Sequence, residues 1–143
     1  MSQSAWPQIN LNQASAAPAG PITIKRGAQA QAKVHVKLIP GYHMNTNKPL
    51  DEYLIPLRLT WTAAPLEVVA ISYPEGKLEK YPFSEKPLMV LTGEFDITTE
   101  MKAPANAPAG MQVIPAKLRY QACDNRACYP PKTIDLKLTV DIQ

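Results

Sequence analysis

Polar and apolar positions alternate with a period of two over much of this chain, the spacing of strands that turn one face to a core and the other to water. Val34, Val36 and Leu38 alternate with Lys33, His35 and Lys37, which predicts a half-buried strand over residues 32–39. Leu57, Leu59 and Trp61 alternate with Arg58, Thr60 and Thr62 and predict another, with a shorter one at residues 22–25. Residues 66–73 are apolar nearly throughout, as a strand covered on both faces would be. Over residues 88–98, Met89, Leu91, Gly93, Phe95 and Ile97 share one face and Val90, Thr92, Glu94 and Asp96 the other, with Gly93 marking a bulge. The last two runs are the clearest. Ala116, Leu118, Tyr120 and Ala122 alternate with Lys117, Arg119 and Gln121, and Ile134, Leu136, Leu138, Val140 and Ile142 with Asp135, Lys137, Thr139 and Asp141. They predict a closing hairpin.

No segment has a helical apolar period, and the 15 prolines, about twice the usual share of roughly 5%, are dispersed where each would interrupt a helix. The prediction is an all-β fold of about seven to eight strands, an immunoglobulin-like β-sandwich, with a barrel left open by periodicity alone. At 143 residues the chain is long enough to bury a core without covalent help. Residues 1–21, rich in Ala, Ser, Gln and Pro, read as an extended N-terminal lead-in, and residues 22–143 as the domain, with no internal repeat.

The net charge of +3 comes from interspersed acids and bases without a basic run, so no phosphate-binding surface is marked and nucleic acid is not an expected partner. No stretch approaches the roughly 18 apolar residues of a membrane span. The opening MSQSAWPQINLNQ lacks the basic start and apolar run of a signal peptide. The expectation is a soluble chain, either cytosolic or an excised mature segment with Met1 added, and excision is favoured.

Both cysteines lie in YQACDNRACYPP, residues 120–131, separated by Asp124, Asn125, Arg126 and Ala127. If the last two strands pair, this segment is the tip of their hairpin, where opposed Cβ atoms lie about 4.5–5.5 Å apart and a disulfide is feasible. As a staple it is poorly placed, because in chain-entropy terms so short a loop contributes about 2 kcal/mol. A protruding pair suits exchange chemistry, since an incoming thiolate must reach a sulfur along the S–S axis. Arg126 and Lys132 would lower a cysteine pKa and Asp124 would oppose them. Tyr129, Pro130 and Pro131 stiffen the exit from the loop. Three uses stay open at this point: a structural disulfide in a non-catalytic interaction module, a redox pair, and a metal clip completed by His35 or His43. C-x4-C with scattered histidines is a weak zinc signal, and Met44, Met89, Met101 and Met111 read as core or loop fillers, so no metal is expected.

YQACDNRACYPP resembles the active-site hairpin of the N-terminal periplasmic domain of DsbD, the transmembrane thiol:disulfide interchange protein. PGYHMNTNKP, residues 40–49, is similar to that family's Gly-Tyr segment, and YPEGKLEKYPF, residues 73–83, to the segment leading into its cap loop. The resemblance covers roughly residues 22–142. It implies an immunoglobulin-like sandwich whose Cys123 and Cys128 cycle between dithiol and disulfide, with no cofactor beyond that pair. It implies a monomer outside the cytoplasm, with any membrane portion absent from this chain, taking electrons from a membrane-embedded donor through a thioredoxin-like domain. The acceptors it implies are oxidised periplasmic thioredoxin-fold proteins, including those of cytochrome c biogenesis. By position, Cys128 would form the mixed disulfide with the partner, Phe83 would be the cap-loop aromatic over the pair, and Tyr42, His43 and Tyr129 would line the site. His43 reads as an exposed loop residue and stands where the family's better-known member has tyrosine. The loop between the cysteines is shorter than in that member.

Overall fold

The computed structural model describes residues 13–143, and among them the regular structure is strand, without α-helix. The first six strands are β1 (Ala14–Pro18), β2 (Ile22–Ile24), β3 (Gln29–Leu38), β4 (His43–Asn45), β5 (Arg58–Trp61) and β6 (Glu67–Ser72). The remaining six are β7 (Lys77–Glu79), β8 (Leu88–Leu91), β9 (Glu94–Lys102), β10 (Gly110–Tyr120), β11 (Ala122–Cys123) and β12 (Lys132–Ile142). They form three four-stranded sheets, ordered β1-β3-β9-β6, β2-β12-β10-β5 and β11-β4-β8-β7. All pairings are antiparallel except β2 with β12.

The first two sheets pack face to face, and the alternation dictates how. Val34, Val36 and Leu38 from β3 and Ile97 from β9 meet Leu59, Ala116, Leu118 and Leu136 of the second sheet in one buried cluster. Farther along, Ala32 and Met101 meet Ile24, Ile114, Leu138, Val140 and Ile142. The intervening Lys33, His35 and Lys37 face water. This is an all-β, immunoglobulin-like sandwich, with twelve strands among the described residues. The higher number arises from short strands in the third sheet. The expected closing hairpin is present, running in register from Gly110 opposite Ile142 to Tyr120 opposite Lys132.

Three expectations are revised. Residues 66–73 do not form a doubly covered strand: β6 is the outer strand of its sheet, with Val68 and Val69 exposed at 39% and 52%. A run of β-branched residues has the same sequence pattern at an edge and in a core. Residues 88–98 are not one strand either. The chain turns at Gly93, whose φ of +70° favours glycine, and passes from the third sheet (β8) to the first (β9). In β8, Leu88, Val90 and Leu91 are buried and Met89 is half-buried, so neither alternating face is the buried one. Finally, β1 pairs with β3 inside the stretch expected to be an extended lead-in, and Ala14 enters the core. Residues 1–12 of that lead-in lie outside the described residues.

The third sheet positions the site. After Tyr120 the chain leaves β12, and β11 pairs instead with β4, so the hairpin tip is carried onto a separate small sheet. The β7–β8 hairpin flanks β4 on the other side. Its approach is tight at Gly76, where a Cβ would lie 2.2 Å from Thr46 Cγ2 and 2.9 Å from Met89 Cγ.

Candidate redox site

Cys123 and Cys128 face each other as an antiparallel bridge and are joined by a disulfide, with Cα atoms 3.9 Å apart. The bridge is framed by two backbone bonds, Tyr129 N–H to Ala122 O at 2.9 Å and Asp124 N–H to Ala127 O at 3.0 Å. That frame makes the cysteines a non-hydrogen-bonded pair, the closer of the two antiparallel spacings. The four intervening residues turn because Asp124 organises them. Its Oδ1 accepts the N–H groups of Arg126 at 2.8 Å and Ala127 at 3.1 Å, and its Oδ2 accepts the Tyr129 hydroxyl at 2.5 Å. An aspartate that takes the place of a backbone acceptor in this way is a turn former. The Tyr129 bond, followed by the Arg126 N–H bond, holds the Asp124 carboxyl below its ordinary pKa, and the same hydroxyl–carboxylate bond raises that of Tyr129.

Gln121, just before the tip, is a second anchor. Its Oε1 accepts from Asn45 Nδ2 at 2.8 Å and from the Ile55 N–H at 2.9 Å, while Asn45 Nδ2 also donates to Ile55 O at 3.0 Å. One side chain therefore ties β11 to β4 and to the segment before β5. Asn45 is buried, where each satisfied polar bond avoids a desolvation cost of about 1–3 kcal/mol.

The two sulfurs are not equivalent. Cys123 is fully buried, whereas Cys128 is half-buried. Cys128 packs with Tyr81 against a small cluster of Leu54, Leu88 and Val90, separate from the sandwich core.

Tyr81 belongs to the loop between β7 and β8, residues 80–87, the segment that also carries Phe83. The Lys80 ammonium donates to the carbonyls of Tyr81 and Ser84, the Ser84 N–H bonds Tyr81 O at 3.1 Å, and Ser84 Oγ donates to Lys86 O at 2.8 Å. The loop is thus closed on itself. The Tyr81 ring stacks on His43 with centroids 3.9 Å apart and planes 10° apart, and Phe83 stacks on the far side of this pair, 5.9 Å from Tyr81. Phe83 is 38% exposed.

His43 differs from expectation. It lies not in an exposed loop but in β4, directly opposite Cys123 in register, and is 2% exposed. Its Nε2 is buried without a hydrogen-bond partner. Burial lowers its pKa to about 4, against a small opposing pull from Asp124. Tyr42 meets Tyr129 edge-on, with centroids 6.4 Å apart. An open cleft of about 400 Å³ beside the tip is lined by Tyr42, His43, Tyr81 and Asn125, among others.

The fold therefore gathers Cys123, Cys128, Tyr42, His43 and Tyr129 at one end of the third sheet, and places Phe83 one ring farther out. Tyr81 and Gln121 escape a sequence reading. Tyr81 is one of two aromatics flanking Pro82, and only the folded loop shows which ring turns inward. Gln121 occupies a polar slot of an alternating strand, indistinguishable from a solvated one. Of the groups named for a metal clip, the two sulfurs are bonded to each other, His43 lies opposite Cys123, and His35 engages Asp96 and Glu94, each at 2.8 Å, on the exposed β3–β9 face. Among the described residues no group of three or more His, Cys, Asp or Glu side chains is placed to hold a metal ion.

A family model described as thiol:disulfide interchange protein DsbD, N-terminal, matches residues 12–139. The chain belongs to this family. The DsbD N-terminal domain family carries out thiol–disulfide interchange in general, and this chain holds a Cys123–Cys128 disulfide. Among solved structures, the N-terminal periplasmic domain of ScsB from Proteus mirabilis superposes with a TM-score of 0.59 at 16% identity. The match covers 92% of this chain and 47% of that one, so the chain spans about half the length of that relative. This likeness shows the fold. The VesB protease of Vibrio cholerae gives a TM-score of 0.46 at 12% identity, over 96% of this chain and 34% of that one. A search of the curated proteins finds no match.

Proposed function

We propose that this domain is a protein-disulfide reductase module that receives electrons at Cys123 and Cys128 from a membrane-embedded donor, through a thioredoxin-like domain. It hands them to oxidised thioredoxin-fold proteins in the periplasm. The observation that carries this reading is the asymmetry of the disulfide. Exchange requires a thiolate to approach one sulfur in line with the S–S bond while the other departs. Cys128 is the reachable sulfur and Cys123 the sealed one. An incoming donor thiolate bonds to Cys128 Sγ, the Cys123–Cys128 bond breaks, and Cys123 leaves with the electron pair. A second donor thiol then releases the dithiol. Toward an acceptor the steps reverse, with Cys128 attacking and Cys123 resolving.

The loop at residues 80–87 acts as a lid. Tyr81 packs with Cys128 and carries Phe83 stacked on it, and a docking partner displaces the loop from the pair. Tyr42 and Tyr129 shape the rim it meets, and His43 lines the site from beneath the Tyr81 ring. The domain acts as a monomer, because one tip presents one sulfur.

The test is capture. A Cys123→Ser variant should accumulate a mixed disulfide with thioredoxin-fold proteins through Cys128, and a Cys128→Ser variant should not. Wild-type electron transfer by both variants would sink the proposal.

A further inference from the structure

Cys123 poses a chemical problem that its burial creates. In the acceptor direction it must lose a proton to become the attacking thiolate, yet no solvent reaches it. A base has to come from the fold. The chain has two histidines, and one of them, His43, is the cross-strand partner of Cys123. Register-paired residues of antiparallel strands project from the same face with Cβ atoms about 4.5–5.5 Å apart. Cys128 occupies the matching position on the other side of Cys123. His43, Cys123 and Cys128 therefore form a row across three chain segments on one face, covered by Tyr81. The adjoining positions, Met44 and Ala122, turn the other way into the main core.

Resting on the exchange reading above, we propose that His43 is the proton acceptor that activates Cys123 for resolution of the mixed disulfide, and the proton donor to Cys123 in the reverse step. Cys128 is first joined to a sulfur of the acceptor. His43 takes the proton from Cys123 Sγ, and the thiolate's electron pair attacks Cys128 Sγ. The Cys123–Cys128 bond forms and the Cys128–acceptor bond breaks. The acceptor sulfur leaves as a thiolate carrying the electron pair, and the proton on His43 returns to it or to water. The domain is oxidised and the acceptor disulfide reduced.

Three observations support the assignment. The unpartnered Nε2 of the residue opposite Cys123 is a buried polar atom with unused hydrogen-bonding capacity, a situation that ordinarily carries a cost. The stacked Tyr81 ring fixes the imidazole plane. The imidazole is uncharged at neutral pH while the disulfide is closed, since burial lowers its pKa. A thiolate forming beside it raises its proton affinity, so His43 and Cys123 titrate as a pair. The other titratable groups around the row are spoken for or peripheral. Asp124 is engaged by Tyr129, Arg126 and Ala127, Tyr81 and Glu79 come from the β7–β8 hairpin, and Tyr42 faces Tyr129. Leu88, Val90 and Leu54 supply the apolar side.

The experiment follows the reduced domain mixed with dithiobisnitrobenzoate, which releases one coloured thiolate when Cys128 attacks and a second when Cys123 resolves. His43→Phe keeps a ring for Tyr81 and removes the nitrogens. His43→Gln, as a second variant, keeps hydrogen bonding without titration. Both should leave the first phase unchanged and slow the second at neutral pH by at least about tenfold, within the range of general-base catalysis. In wild type the second phase should level off below the ordinary thiol pKa of about 8.5. In the variants it should climb about tenfold per pH unit up to that value. Free imidazole added to His43→Ala should restore the rate. Unchanged second-phase rates in both folded variants overturn the role of His43, as does equal slowing of both phases with the wild-type pH profile. A wild-type domain whose disulfide is not reduced by reduced thioredoxin, and whose dithiol does not reduce oxidised thioredoxin, overturns the exchange reading itself, a separate result.

Discussion

The two histidines show how position rather than residue type sets a proton affinity. His35 sits on the exposed face of β3 between Asp96 and Glu94, and its hydrogen bond to Asp96, then that to Glu94, raises its pKa above 6.5. His43 lies in the buried strand below the lid, and desolvation lowers it to about 4. Their linkage to stability therefore has opposite sign. The His35 contribution is fully present below pH 6.5 and is lost as pH rises through the raised folded value. The His43 contribution is present above 6.5 and is lost as pH falls toward about 4, because the unfolded chain takes up a proton that the folded one refuses. From the size of that shift the second effect is about 3 kcal/mol. NMR titration of the two imidazoles should give one midpoint above 6.5 and one well below it. Acid unfolding of His43→Phe should lose much of its dependence between those values, and an unchanged acid limb would refute the linkage. At the same scale, Tyr81→Ala removes a stack worth about 0.5–1.5 kcal/mol. It should speed reduction of the disulfide by a small dithiol by about two- to tenfold, measured as thiol release under excess reductant.

Among the elements, the third sheet is where the chain commits its polar groups, and the sandwich is where it commits its apolar ones. This division explains what could be read in advance. The strands of the sandwich were legible because Val34, Val36 and Leu38, or Leu136, Leu138 and Val140, alternate without interruption and bury only one face. The cysteine tip was legible because a tight turn of polar residues followed such a strand. The third sheet was not, since its strands span only two to four residues, too few to express a period. His43 looked like a loop residue for that reason. Nor does periodicity reveal that Gly93 sends β8 and β9 to different sheets. Gln121 makes the consequence measurable. Gln121→Ala leaves Asn45 Nδ2 one acceptor short and orphans the Ile55 N–H, so a loss of about 1–3 kcal/mol is expected. Urea unfolding should report it, accompanied by faster amide exchange at Ala122 and Cys123. Gly76→Ala is expected to cost a similar about 1–3 kcal/mol by overpacking, because its Cβ would collide with Thr46 Cγ2. Wild-type stability in that variant would show that the β6–β7 connection yields freely.

For the whole molecule, a thiol–disulfide interchange domain must keep its fold with the disulfide closed and open, and the architecture separates that bond from the sandwich core. The disulfide links residues only five apart, so opening it releases little conformational freedom, about 2 kcal/mol in chain-entropy terms. Shortening one fully buried core side chain, Leu118→Ala, should by itself cost about 2–5 kcal/mol. The tip is also held by contacts that survive reduction: the Asp124 turn, the Gln121 anchor and the pairing of β11 with β4. The reduced domain should therefore unfold cooperatively in urea, with an unfolding free energy lower by no more than about 2 kcal/mol and an unchanged slope. Amide protection along β10 and β12 should match that of the oxidised form, and differences should be confined to β11, the tip and the residues 80–87 lid. A loss exceeding about 4 kcal/mol, or exchange spreading into the sandwich, would mean that the disulfide supports the fold. It would then be a staple first, and opening it would put the domain at risk of unfolding.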